Sequence, residues 1–85
     1  MQRTVFFDIL DGMTCLSGLC NERISEWNIE GQSRSEVESL CRNDANCVAY
    51  DYGYGRFGHL CGSTLKTEHD EYVICSKGII THVFA

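Results

Sequence analysis

The run Tyr50-Asp51-Tyr52-Gly53-Tyr54-Gly55-Arg56-Phe57-Gly58-His59 gathers the side chains of this chain best suited to recognition. Aromatic rings offer apolar faces with polar tips, and Asp51 and Arg56 offer directional hydrogen bonds. Sugars are bound by that combination, with a ring stacked on CH groups and charged groups bridging hydroxyls. Protein partners use the same residue types as hot spots. Asp51, Tyr52, Tyr54, Arg56, Phe57 and His59 are therefore the candidate ligand-binding residues. A plainer reading competes for part of the run, because Tyr50 and Tyr52 alternate on one strand face and suit a core. Tyr54, Arg56 and Phe57 fall in a glycine-rich turn, where exposure is expected.

Other chemistry is weakly represented. His59, His69 or His82 with Asp70 or Glu71 could donate to a metal, and Glu68-His69-Asp70-Glu71 has suitable donors. In a hairpin loop such a run is more often a solvated charged tip, and no calcium loop of the DxDxDG kind occurs. No metal or cofactor is expected. The GxSxG, HExxH and GxxxxGK[ST] signatures are absent. Six cysteines and three histidines could supply a Cys–His nucleophile, but an even cysteine set in so short a chain is more often paired. The reading is not an enzyme.

The elements that must hold these residues start from the cysteines. Cys15, Cys20, Cys41, Cys47, Cys61 and Cys75 lie in an 85-residue chain with no CxxC pair. This favours three disulfides over a zinc or redox motif. A domain of this size has a thin core, and each bridge contributes about 2–4 kcal/mol. An oxidising location follows: secreted or at the extracellular surface, by way of the secretory pathway. Met1–Asp11 has no long apolar run or small-residue cleavage site, so a mature segment, or one module of a longer protein with an added start Met, is expected. No apolar run reaches the ~20 residues of a membrane span. The net charge is −5, with Lys and Arg totalling seven. The cations are scattered, which argues against nucleic acid and anionic membranes as partners.

Proline is absent, so turns fall to glycine, Asn and Asp. Thr4–Leu10 reads as a first strand, Met13–Asn21 as a stapled loop, and Arg23–Glu30 as an irregular approach to a helix. Trp27, the only tryptophan, is expected to pack in the core beside a disulfide. Ser33 with Glu36, or Ser35 with Glu38, can form a capping box. Val37, Leu40 and Cys41 then share an apolar face, with Arg34, Glu38 and Arg42 on the other side. Asn43, Asp44 and Asn46 end the helix. Cys47–Tyr52 reads as a strand, Gly53–Gly58 as a turn, His59–Leu65 as the returning strand and Lys66–Glu71 as a charged loop. Glu71–Ser76 is a further strand, Lys77-Gly78 a turn and Ile79–Phe84 a last strand. The sum is one α+β domain, 1–85, with one helix against an antiparallel sheet of about five strands. Either apolar strand, Thr4–Leu10 or Ile79–Phe84, could pair with a second copy as a homodimer edge.

Ser35 followed by Cys41-x5-Cys47-Val48-Ala49-Tyr50-Asp51-Tyr52, then Cys61 and Cys75-Ser76-Lys77, resembles the PAN/apple domain over roughly Ile24–Gly78. The resemblance implies a curved antiparallel sheet cradling one helix, and a Cys41–Cys47 bridge from the helix end to the central strand. It also implies adhesion to proteins or glycans, usually as one domain of a larger secreted or surface protein. The chain departs from the pattern at Val37, where the family has a second helix cysteine. Cys61 is then left to pair with Cys15 or Cys20, and Cys75 with the other. The nested set Cys15–Cys75 and Cys20–Cys61 is expected, and the crossed set stands close beside it. The functional expectation is an extracellular module that binds a protein or carbohydrate partner through the aromatic turn. The alternative is a free-standing secreted ligand: a signal, toxin or matrix component.

Overall fold

The computed structural model describes residues 13–24, 29–76 and 80–82. Their framework is set by the central strand β4, Ala49–Gly53, whose side chains alternate between two packed faces. The other strands are β1 (Thr14–Ser17), β2 (Leu19–Cys20), β3 (Ile29–Glu30), β5 (Phe57–Cys61), β6 (Leu65–Thr67), β7 (Tyr72–Ser76) and β8 (Thr81–His82). One helix is described, α1 (Arg34–Arg42). A five-stranded antiparallel sheet runs in the order β1-β7-β4-β5-β3, and a small three-stranded sheet in the order β2-β6-β8. In the small sheet β2 and β6 are antiparallel, while β6 and β8 are parallel.

The helix forms where its cap demands. Ser33 is extended at φ −75° and ψ 164°, and its Oγ accepts the Glu36 N–H at 3.2 Å. Glu36 answers by accepting the Ser33 N–H at 2.6 Å. That reciprocal pair is the capping box, and it is Ser33–Glu36 rather than Ser35–Glu38. Glu38 and Arg42 pair one turn apart at 2.9 Å. Asn43 closes the helix by donating to Ser39 O, and Asp44 makes an Asx turn by accepting the Asn46 N–H at 2.9 Å. The apolar face buries Val37 and Cys41, whereas Leu40 is exposed. Arg34 and Glu38 do not simply face water: both hydrogen-bond the hydroxyl of buried Tyr50, at 3.3 and 2.8 Å.

Helix α1 crosses β4 and β5. Beneath it lies a core of Met13, Val37, Cys41, Cys47, Tyr50 and Cys75, flanked by Ile29, Tyr52, Leu60 and Val73. On the opposite face Cys20, Ala49, Cys61 and Ile74 form a second core, edged by Ile80. Val37 sits where the PAN/apple pattern has a cysteine, and a Cβ added at Gly58 would meet its methyl carbons at 2.9 and 3.0 Å. Gly58 thus lets the helix approach the sheet closely.

Three disulfides join these parts: Cys15–Cys75, Cys20–Cys61 and Cys41–Cys47. This is the nested set. Cys41–Cys47 clasps the helix end to the entry of β4. Cys20–Cys61 ties the small sheet to the large one. Cys15–Cys75 links opposed residues on β1 and β7.

Several strand expectations change. Met13–Asn21 is two strands rather than a loop, because β1 pairs with β7 and β2 with β6. The return strand is Phe57–Cys61, and Leu65–Thr67 belongs to the other sheet. Lys66 therefore lies inside a strand, 7% exposed, and its ammonium donates to Ser17 O and Glu68 Oε1. The proposed strand Thr4–Leu10, Trp27 and the turn at Lys77-Gly78 lie outside the described residues. Of Ile79–Phe84, Thr81–His82 is β8.

These observations give a concrete expectation for the cap. Ser33→Ala should cost about 1 kcal/mol and lower the melting temperature by roughly 4–8 °C. The Glu36 carboxyl is held below its usual range, first by the Ser33 backbone N–H and then by the Ser33 hydroxyl. A depressed carboxylate stabilises above its unfolded pKa and loses that contribution as pH falls through the folded value. The melting difference between wild type and Glu36→Ala, which removes the carboxylate itself, should therefore narrow on acidification below about pH 4. A difference that stays constant down to acid unfolding would contradict this assignment.

Candidate functional site

The hairpin β4–β5 reverses over Tyr54, Gly55 and Arg56, with the Arg56 N–H donating to Gly53 O at 3.2 Å. Tyr54 and Gly55 both have positive φ, 56° and 70°. Glycine takes this conformation freely, but tyrosine does not. Tyr54 is nonetheless held there with 57% of its surface exposed. Its ring stands edge-on to Tyr72, Phe57 and His69, at centroid distances of 5.5, 6.4 and 6.4 Å. Such edge-to-face contacts are each worth about 0.5–1.5 kcal/mol, so together they can offset the backbone cost of about 1–3 kcal/mol.

Arg56 completes the exposed layer. Its guanidinium lies 4.8 Å from the Phe57 ring centroid and pairs with Glu30 on β3. Both members of the ion pair are more than half exposed, so the pair contributes at most about 1 kcal/mol. The result is a surface knuckle of one tyrosine, one arginine over a phenylalanine, and one carboxylate.

Beneath it lies a buried polar pair. Asp51 and His59 face each other across β4 and β5, with Oδ1 and Nδ1 2.7 Å apart. Asp51 is fully buried and His59 is 2% exposed. The other Asp51 oxygen accepts the Cys20 N–H at 2.8 Å. Asp51 thus binds the small sheet to the large one, alongside the Cys20–Cys61 bridge. Tyr72 covers this pair, with its ring 6.1 Å from that of His59. Burial, then the nearby Asp51 charge, pushes the Tyr72 phenol above its usual value.

The six expected contact residues are therefore divided by the fold. Tyr54, Arg56 and Phe57 meet at the turn. Asp51 and His59 lie inside and offer a ligand almost no surface. Tyr52 is half-buried on the helix side, where its hydroxyl donates to Gln32 O. Tyr50 is wholly in the core. Tyr72 and His69 join the aromatic group without having been anticipated. Only the antiparallel register Gly53↔Tyr72 brings them there, and no local pattern encodes that pairing. His69 belongs to the run read as a charged tip, but its Nδ1 accepts the Glu71 N–H at 3.1 Å and its ring packs 5.1 Å from Tyr72.

Among the described residues, Cys20, Asp51 and Cys61 place potential metal-ligating atoms close together. The two sulfurs are bonded to each other, so neither is a thiolate, and the oxidised site lacks the donors that zinc requires. Compared with family models, with curated proteins and with solved structures, the chain matches none of them.

Proposed function

We propose that this domain is an extracellular binding module of the PAN/apple type, and that it contacts a protein or carbohydrate partner with the Tyr54–Arg56–Phe57 knuckle. The observation that carries the reading is Tyr54 itself: a large aromatic side chain held exposed in a left-handed backbone conformation and braced by three rings. A tyrosine in that position has no core to fill, whereas a rigid ring with an adjacent guanidinium suits both protein hot spots and sugar faces. The nested disulfides support an oxidising location, and no described helix is long and apolar enough to cross a membrane.

The test is a glycan array run beside an array of extracellular proteins, using wild type, Tyr54→Ala and Arg56→Ala. Binding to one array is expected, with affinity reduced about thirtyfold by Tyr54→Ala, the loss typical of a hot-spot residue. Arg56→Ala should also weaken binding, yet lower the melting temperature by no more than about 4–8 °C, because its ion pair is exposed. Tight binding to one protein with a flat glycan response would remove the lectin version and keep the module. Binding unchanged in both variants, or none on either array, would overturn the proposal.

A further inference from the structure

The three disulfides differ in what surrounds them. Cys41, Cys47, Cys20 and Cys61 are all buried. Cys15 is exposed, on an edge strand of the five-stranded sheet, while its partner Cys75 is fully buried. The two are directly opposed in the β1–β7 register. One Arg34 nitrogen, Nη2, lies 3.1 Å from Cys15 Sγ and 3.2 Å from Cys75 Sγ. The guanidinium is oriented from behind, because its Nε donates to Tyr50 Oη, which in turn donates to Glu38 Oε1.

We propose that Cys15–Cys75 is a thiol-exchange site, at which an anionic low-molecular-weight thiol such as glutathione is captured on Cys15. The attacking thiolate approaches the sulfur of Cys15, the exposed residue of the bridge, and forms a new S–S bond to it. The Cys15–Cys75 bond breaks, and its electron pair leaves on Cys75 as a thiolate beside Arg34. No net oxidation occurs: one disulfide becomes a mixed disulfide, and one thiolate replaces another. Negative charge is shared between the attacking and leaving sulfurs during exchange, and Arg34 lies within hydrogen-bond reach of both bridge sulfurs. It therefore lowers the barrier and also attracts an anionic reagent. Return of the Cys75 thiolate onto Cys15 expels the captured thiol and restores the bridge. Arg34 is a positioning and charge-stabilising residue here, and Cys15 is the modified one.

The folded protein is treated with reduced glutathione, quenched by alkylation and mapped by peptide mass. Glutathione is expected on Cys15, an alkylated thiol on Cys75, and the other two bridges intact. The exchange rate should fall about tenfold in Arg34→Gln, the size of one charge-assisted hydrogen bond, and recover in large part in Arg34→Lys. The fall should be greater for glutathione than for cationic cysteamine, a charge signature that mere loosening of the fold does not produce. Glutathione appearing first on another cysteine, equal rates in wild type and Arg34→Gln, or equal falls for both reagents would each overturn the proposal.

Discussion

Replacing Asp51 with alanine is expected to leave the domain largely unfolded near 37 °C. Asp51 is fully buried, pairs with His59 and accepts the Cys20 N–H. Its removal strands two polar groups where water cannot reach them. Leaving two buried groups without a hydrogen-bond partner costs about 1–3 kcal/mol for each, against a total stability for such a small domain of roughly 5 kcal/mol. The melting temperature should drop by at least about 8 °C. Asp51→Asn keeps an oxygen for the Cys20 N–H and should recover part of the loss. Thermal melts of the two variants, with disulfides verified intact, decide the matter. An alanine variant melting within about 5 °C of wild type would show that the pair contributes little. The same result separates architecture from recognition, since Asp51 is fully buried and acts through the interior.

Gly53→Ala is expected to be nearly as damaging, for a steric reason. A Cβ at this position would lie 2.6 Å from Tyr72 Cγ and 2.7 Å from the Glu71 carbonyl oxygen. Neither atom is the free end of a flexible chain. The Tyr72 ring is fixed among Tyr54, His59 and His69, and the carbonyl belongs to the backbone entering β7. Overpacking of this kind costs about 1–3 kcal/mol, and the upper end applies where backbone must move. The knuckle should be displaced as well, so any partner affinity should fall along with stability. Gly62→Ala is the control: its nearest neighbour would be Ile24 Cγ1 at 3.7 Å, an ordinary contact, and its melting should stay close to wild type. Urea melts that place both alanine variants at the same midpoint would refute the steric account.

The parts of this structure that were legible in the sequence are those written locally. Ser33 and Glu36 announce a helix start because a capping box spans only four residues, and of the two boxes open in the sequence this one forms. Tyr50 and Tyr52 announce a strand because alternation is local too. Of the small sheet, β8 falls within the apolar run Ile79–Phe84 read as a strand, whereas two-residue β2 is too short for any period to show. β1 carries Thr, Cys, Leu and Ser, a composition shared by loops, and becomes a strand only because β7 supplies its hydrogen bonds. Lys66 looks like a surface residue until Ser17 O and Glu68 satisfy its ammonium inside the sheet pair. At the site, the turn residues were readable from glycine spacing. The burial of Asp51 and His59 was not, because it depends on a second sheet covering that face of β4.

The nesting of the three bridges also bears on how the chain reaches this state. Cys41 and Cys47 are 6 residues apart, Cys20 and Cys61 are 41 apart, and Cys15 and Cys75 are 60 apart. Loop-closure entropy rises with the logarithm of loop length, so the outermost ring costs about 2 kcal/mol more to close than the innermost. Closure entropy thus favours the helix clasp over both long-range bridges, which differ from each other by only about 0.3 kcal/mol. During synthesis Cys15 emerges long before Cys75, with Cys20 as its nearest sulfur. Cys75 is the last of the six cysteines to be made, so the Cys15–Cys75 clip on β1 becomes possible only once both partners of the other two bridges are present.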